Sequence, residues 1–479
     1  RVRRFHDAYR AYGATAELGV VDQPWAEQLI VQGFSSGYTK QLPHNLFMTV
    51  PYGEARTSEV VHGGLVRYRN AWLRRIKLEL IGSVARRQIE LSDKSRWVYD
   101  WFGRRASERR VRGEIDTPPT DQTVFGYGGF GRATLESELA RGHWLTFNSS
   151  PQYGTRSGKQ HLRVDPSTPD PLSGDRSLLT IVTGLEYKLH FLEMPDVPVE
   201  RETPRDEDYR FETAAFVKWY SYLARSEALT PAYDWSKRRA HKESMGGGGR
   251  LRVHLTNWLM VKLTYEFATR MPTSDEIFGD GALVSENYEL KPETSHNLNL
   301  GPFAELKLPK LGQLVVDLNA FLRDTRDQIV QLGNMSRFQN RNLSRARSVG
   351  LEGALQWTSR GRYLSLQSSL TYQDQRNRAS AGTFAQYRGD RIPNRPWLFA
   401  SWAASLRFAK LLSQSDELEP FYQGRYVHDF YRGWQSIGVR EFKDVVPAQV
   451  SHNLGLTYGF GLPRGHLDLT FEAQNVSDA

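Results

Sequence analysis

Twelve histidines and 54 carboxylates are enough side chains to build a metal or acid–base site, so their spacing is the first question. No HExxH pair or comparable cluster occurs, and His190 and His254 fall inside alternating segments where a strand face accounts for them. No serine or carboxylate constellation suited to catalysis stands out, and the lack of cysteine removes disulfides, thiolate ligands and thiol nucleophiles together. The run MGGGG, Met245–Gly249, lacks the Lys-Ser/Thr ending of a phosphate loop and reads as a flexible approach to a strand. Enzymatic activity, a resident metal and a cofactor are therefore not expected. The chemistry that remains sits in long polar connections. There Tyr153, Arg156, Trp235, Tyr387 and Arg388 put aromatic faces and guanidinium groups at a mouth suited to an anionic ligand.

Such residues need elements to carry them. Leu251, Val253, Leu255, Leu259, Val261, Leu263, Tyr265 and Phe267 share one face, whereas Arg252, His254, Thr256, Lys262, Thr264 and Glu266 take the other. A repeat of two is the strand period. The alternation returns at Leu179 to Leu189 against Glu186, Lys188 and His190, and at Leu314 to Leu322 against Gln313, Asp317 and Asn319. It recurs at Leu364 to Tyr372 and at Leu467 to Phe471. Charge thus keeps to one face of strand after strand.

The links alternate as well. VDQPW is followed by QLPHNLFMTVPYGEARTSE, ARGH by the region around PQYGTRSGKQHLRVDPSTPDPLSGDR, LPKLG by DTRDQIVQLGNMSRFQNRNLSR, and TSRG by QDQRNRASAGTFAQYRGDRIPN. Only the link from Leu192 to Arg210 is long where a short one is due. Short turns at one end and long loops at the other, with alternating strands between, are the signature of an outer-membrane barrel. No run of 18 apolar residues is available for a helical span. Aromatics at Trp219–Leu223 and Arg395–Phe408 suit interfacial belts. The formal charge of +9 is scattered among the acids, and the RRASERR cluster at Arg104 to Arg110 reads as a loop, so nucleic acid is not an expected partner. The expected fold is all-β, an antiparallel transmembrane β-barrel with about 18 strands in this chain.

The segment YEFATRMPTSDEIFGDGALVSENYELKPETSHNLNLG, Tyr265 to Gly301, resembles TonB-dependent outer-membrane receptors. The family's pattern falls on Tyr265, Arg270, Pro272, Glu276, Phe278, Asn287, Leu290, Pro292, Glu293, Ser295 and Gly301. NLSRARSVGLEGALQW is similar to a family strand entry through Asn342, Ala346, Gly350 and Glu352, and FEAQNVSDA to a late turn through Asn475, Val476 and Asp478. The motif reads foremost as loop architecture. Proline after Met271 ends ladder pairing, Gly279 and Gly281 permit reversals, and Glu293 and Ser295 can bond the returning backbone.

The resemblance implies a barrel of about 22 strands, of which residues 1–479 form a part without the plug domain or TonB box. It further implies an outer-membrane location in a Gram-negative bacterium, lipid as surroundings, a monomer, and coupling to the TonB energy-transducing complex through an N-terminal region. The implied activity is energy-coupled import of a scarce solute, with a ferric siderophore as the leading ligand. A passive porin, or TonB-dependent uptake of cobalamin or a glycan, is the alternative.

Overall fold

The computed structural model describes residues 5–45, 48–72, 75–115, 119–163, 165–193, 209–230, 232–280, 283–333, 337–438, 445–462 and 465–477. Among them one 20-stranded sheet dominates, two of whose members are the two-residue pieces Val284–Ser285 and Phe408–Ala409. The long strands run β1 (Tyr9–Gln23), β2 (Ala26–Gln41), β3 (Arg56–Trp72), β4 (Ile76–Asp93), β5 (Thr120–Ala140), β6 (His143–Gln160), β7 (Arg176–Glu193), β8 (Tyr209–Leu229) and β9 (Trp235–Thr256). They continue as β10 (Leu259–Arg270), β11 (Glu293–Leu308), β12 (Gly312–Gly333), β13 (Phe338–Thr358), β14 (Leu364–Asn377), β15 (Leu398–Leu406), β16 (Asp416–Val427), β17 (Gln449–Leu462) and β18 (Gly465–Ala473). Each pairs antiparallel with its neighbour in sequence, a meander that short turns permit.

The sheet is open. β1 pairs with β2 and β18 with β17, and among the described residues the two edge strands do not meet. The expected transmembrane β-barrel, with about 18 strands in this chain of a probable 22, is thereby corrected: the long antiparallel strands are present, but among the described residues they do not close into a barrel. Closure requires a ladder between first and last strands, whereas β1 and β18 are exposed at every residue.

Three sequence readings change with the strands. QYGTRSGKQ lies inside β6, and most of DTRDQIVQLGNMSRFQNRNLSR belongs to β12 and β13, so these strands run well into segments read as loops. The MGGGG run is the interior of β9, not an approach to it. A Cβ at Gly248 would stand 2.1 Å from the Tyr265 carbonyl oxygen and 2.8 Å from the Phe216 ring, so glycine here makes room for an aromatic on the adjoining strand. Finally, part of RRASERR forms the strand Arg105–Glu108, paired with Trp97–Tyr99.

The two faces differ sharply. Leu263, Leu300, Leu318, Leu351 and Leu370 stay exposed on one, which lipid tolerates and water does not. On the other, the Glu212 carboxylate meets His190, Arg250 and Arg252 at 3.1 to 3.2 Å, and Lys262 reaches Asp317 at 2.7 Å. Buried apolar side chains gather in three clusters where the long connections fold against strand ends: around Ile277 and Tyr222, around Leu343 and Trp434, and around Leu91 and Tyr52.

Candidate functional site

The connection between β10 and β11 is the most heavily tied. Arg270 ends β10, and Pro272, fully buried, removes the next donor from the ladder. Thr273 then caps a short helix, α1 (Ser274–Phe278), in a reciprocal arrangement: its hydroxyl accepts from the Glu276 N–H while the Glu276 carboxylate accepts from the Thr273 N–H. Gly279 has φ +72°, and a Cβ there would lie 2.2 Å from the Val284 carbonyl oxygen, so the reversal demands glycine.

Arg270 donates to Glu276 at 3.0 Å and to Glu293 at 2.6 Å, fastening both ends of the connection to one guanidinium. Glu293 also accepts the Ile329 N–H. Asn287 donates to the Asn340 carbonyl, and Asn342 accepts the Lys291 N–H and donates to the Lys291 and Asp327 carbonyls. Phe278 and Leu290 are buried with Met271 and Ile277 against Leu178, Tyr220 and Tyr222. Tyr288 packs on the same cluster, and burial pushes its phenol up to about 12 although Arg176 beside it acts in the opposite sense.

α1 holds Asp275 over the charged face of the sheet. One carboxylate oxygen accepts from Arg156 at 2.5 Å and the other from Arg87 at 3.0 Å, while Arg87 also grips both oxygens of Glu59. Beneath them lies a cavity of about 710 Å³ lined in part by Arg87, Arg156, Gln152, Thr180 and Tyr220. Arg156 is 8% exposed, yet its Nη1 is buried without a hydrogen-bond partner. The cavity is thus lined in part by a charged side chain that holds one unsatisfied donor with almost no accessible surface, a group that is costly to bury unless something accepts from it.

The other residues singled out by sequence are dispersed. Tyr265 bonds His296, Ser295 accepts from Asn297, and Glu352 accepts from Asn319. Pro292 immediately precedes β11. Gly301 and Gly350 sit where a Cβ would strike backbone oxygens at 1.8 Å and 2.3 Å. Ala346 is buried in β13, Asn475 has φ +50°, and the Val476 N–H donates to His452. Gly281 and Asp478 lie outside the described residues.

Among the mouth residues, Arg156 alone joins Asp275. Tyr153 lies three residues away on the opposite face and is exposed, and Trp235 begins β9. Tyr387 stacks on Trp434 at 4.9 Å, and Arg388 is exposed. Arg87 and Asp275 were not singled out by the sequence. The alternation of β4 carried the signal for Arg87's face, but nothing local announced a partner 188 residues away. Among the described residues no group of three or more His, Asp or Glu side chains could hold a metal ion.

A family model described as TonB dependent receptor-like, beta-barrel matches residues 89–476. Among solved structures, the chain is similar to the copper transporter OprC (TM-score 0.67, 13% identity), covering 99% of this chain and 66% of that one. It is similar to BauA, the ferric preacinetobactin receptor from Acinetobacter baumannii (TM-score 0.66, 12% identity; 99% and 70% covered). The same holds for FyuA, the ferric yersiniabactin uptake receptor from Yersinia pestis (TM-score 0.67, 12% identity; 98% and 66% covered). The chain thus spans about two thirds of the length of these proteins. No curated protein matches the sequence.

Proposed function

Because this chain belongs to the TonB-dependent receptor-like β-barrel family, and so is an outer-membrane protein of a Gram-negative bacterium, we propose that it serves energy-coupled import of a scarce anionic solute, with a ferric chelate as the leading class. The observation that carries the reading is the arginine pair under α1. Arg87 and Arg156 share the single carboxylate of Asp275, and Arg156, a residue of the cavity lining, keeps one buried, unsatisfied Nη1. An incoming oxyanion competes with Asp275 for the guanidinium, and the shift that follows frees Nη1 to donate to it, because charge-assisted bonds to a planar fork favour oxygen pairs. Displacing Asp275 pulls on α1 and on the connection that Arg270 fastens, which links ligand arrival to loop position. Energy coupling through the TonB complex is the family's implied drive for the step that follows.

The test is growth of a strain with and without the full-length gene on iron chelates, cobalamin and oligosaccharides, with the energy-transducing complex intact or disabled. Energy-dependent growth on an iron chelate, weakened by Arg156→Met, is the expected result. Uptake unchanged when coupling is disabled favours the passive porin. Energy-dependent uptake confined to cobalamin or a glycan keeps the receptor class and rejects the anionic chelate.

A further inference from the structure

The apolar face carries a second, unrelated arrangement. Along β4 its residues run Ile76, Leu78, Leu80, Gly82 and Val84 before turning polar at Arg86. Along β8, Val217, Trp219, Ser221 and Leu223 precede Arg225. Arg86 and Arg225 are joined by direct pairing across the strands: Arg86 faces Tyr127, Tyr127 faces Thr155, Thr155 faces Ser177, Ser177 faces Arg225, and Arg225 faces Arg239. One row across six strands is therefore cationic at both ends and hydroxyl-bearing between them. The row itself contains no carboxylate; on the same face of β9, Glu243 lies between Arg239 and the apolar band and is paired with His241 at 3.4 Å.

Arg225 and Arg239 stand directly opposite each other, a like-charge juxtaposition that destabilises a sheet unless an anion relieves it. Both are exposed, and neither has an acidic partner among the described residues. The nearby Glu227 is engaged by Lys237 at 3.4 Å.

Below the Arg86 end lies a shallow groove of about 840 Å³. Gly64, Gly129 and Gly131 form its floor, and Val84, Pro151 and Tyr153 stand at its sides. Val84 is 70% exposed, so nothing in the chain fills the groove. A strip shaped for hydrocarbon thus opens directly under a strip shaped for phosphates and sugar hydroxyls. The two cationic ends are four strand spacings apart, about 19 Å between backbones, a separation the long arginine side chains shorten. Such a span suits a headgroup with two separated anions better than a single small ion.

We propose that this face seats an outer-leaflet glycolipid phosphorylated on its sugar, with phosphates at Arg86 and at the Arg225–Arg239 pair and an acyl chain along the glycine groove. The assignment does not depend on what the protein transports. It accounts for a like-charge pair beyond the edge of a lipid-facing band, where the charges of phosphate and guanidinium are complementary.

The experiment uses the purified chain in detergent and three probes: a bisphosphorylated, acylated glucosamine disaccharide, its phosphatase-treated form, and the same phosphorylated sugar without acyl chains. Native mass spectrometry and titration report binding. The intact glycolipid should bind at least about tenfold more tightly than either control, a difference of ~1.4 kcal/mol. R225S/R239S should remove the phosphate-dependent part of that binding without lowering the unfolding midpoint. Gly131→Leu should remove the acyl-dependent part only, since a Cβ there finds its nearest atom at an ordinary 3.4 Å. The charge-matched variant R360S/R362S, in the turn after β13, should bind like the parent chain.

Equal binding of the phosphatase-treated form, or unchanged binding by R225S/R239S, overturns the proposal. Equal binding of the acyl-free sugar replaces the lipid with a soluble anion and overturns it as well. A lowered unfolding midpoint in R225S/R239S assigns the pair to the fold and has the same force.

Discussion

Arg270→Met is the sharpest perturbation of the connection over the cavity. It removes two charge-assisted bonds, to Glu276 and Glu293, whose side chains are 21% and 14% exposed. Breaking a buried pair by truncating one partner costs about 3–5 kcal/mol, whereas an exposed pair is worth about 0–1 kcal/mol. The Arg270 side chain is 43% exposed, which sets the expected cost between these limits, at about 2 kcal/mol. That cost falls on the connection and not on the whole sheet, because both carboxylates belong to its two ends. At ~1.4 kcal/mol per factor of ten, the open population of the connection should rise about 30-fold. Hydrogen exchange reads it directly: the Ile277 N–H, bonded to Thr273, and the Asn287 N–H, bonded to Ile277, should lose protection by that factor while ladder amides of β13 and β14 keep theirs. Unchanged protection at Ile277 and Asn287 would refute the fastening role. An equal loss in β13 and β14 would show that the connection and the sheet open as one unit, which also contradicts the reasoning.

Three other outcomes are expected. Leu318→Arg, in the middle of the apolar side of β12, should cost about 2–4 kcal/mol in unfolding from bilayers, with Gln367→Arg on the charged face much milder; equal costs would refute the assignment of faces. The Tyr288 phenol, pushed up to about 12, should ionise later than exposed tyrosines in an alkaline absorbance titration compared with Tyr288→Phe. Since its folded value is raised, its contribution is complete below the ordinary tyrosine value of about 10 and is lost as pH rises through about 12. Gly350→Ala should destabilise by about 1–3 kcal/mol, because the new Cβ meets both the Tyr372 carbonyl oxygen at 2.3 Å and the Phe321 ring at 2.4 Å; a second change, Phe321→Leu, should recover only part of the loss in urea melts.

The strand pattern was legible because one face meets lipid and the other does not, which stamps a period of two on the residues themselves. Leu251 to Phe267 shows this, and the paired register of β9 and β10 follows it. The extent of the strands was less legible. Above the apolar band both faces of β6, β12 and β13 become polar, so PQYGTRSGKQ and DTRDQIVQLG lose the contrast that marks a strand although their backbones still pair. Glycine misled for a related reason: in MGGGG the missing side chains are supplied by Phe216 and Tyr220 of the adjoining strand, information that does not lie in the run.

The same limit governs the site. Arg270, Glu276 and Glu293 are close in sequence, and their fixed spacing exposes the loop they build. The contacts of Asp275 with Arg87 and Arg156 join residues 188 and 119 positions apart, and no spacing rule reaches that far. A carboxylate inside a recognisable motif can therefore serve two ends at once. Its neighbours Thr273 and Glu276 fix the helix by local rules, whereas Asp275 itself points away from the motif to the sheet. The local rules hold α1 in register, and that register lets one exposed carboxylate meet two arginines, so a substitution in the cap should weaken the Asp275 contacts without touching any of the three charged side chains.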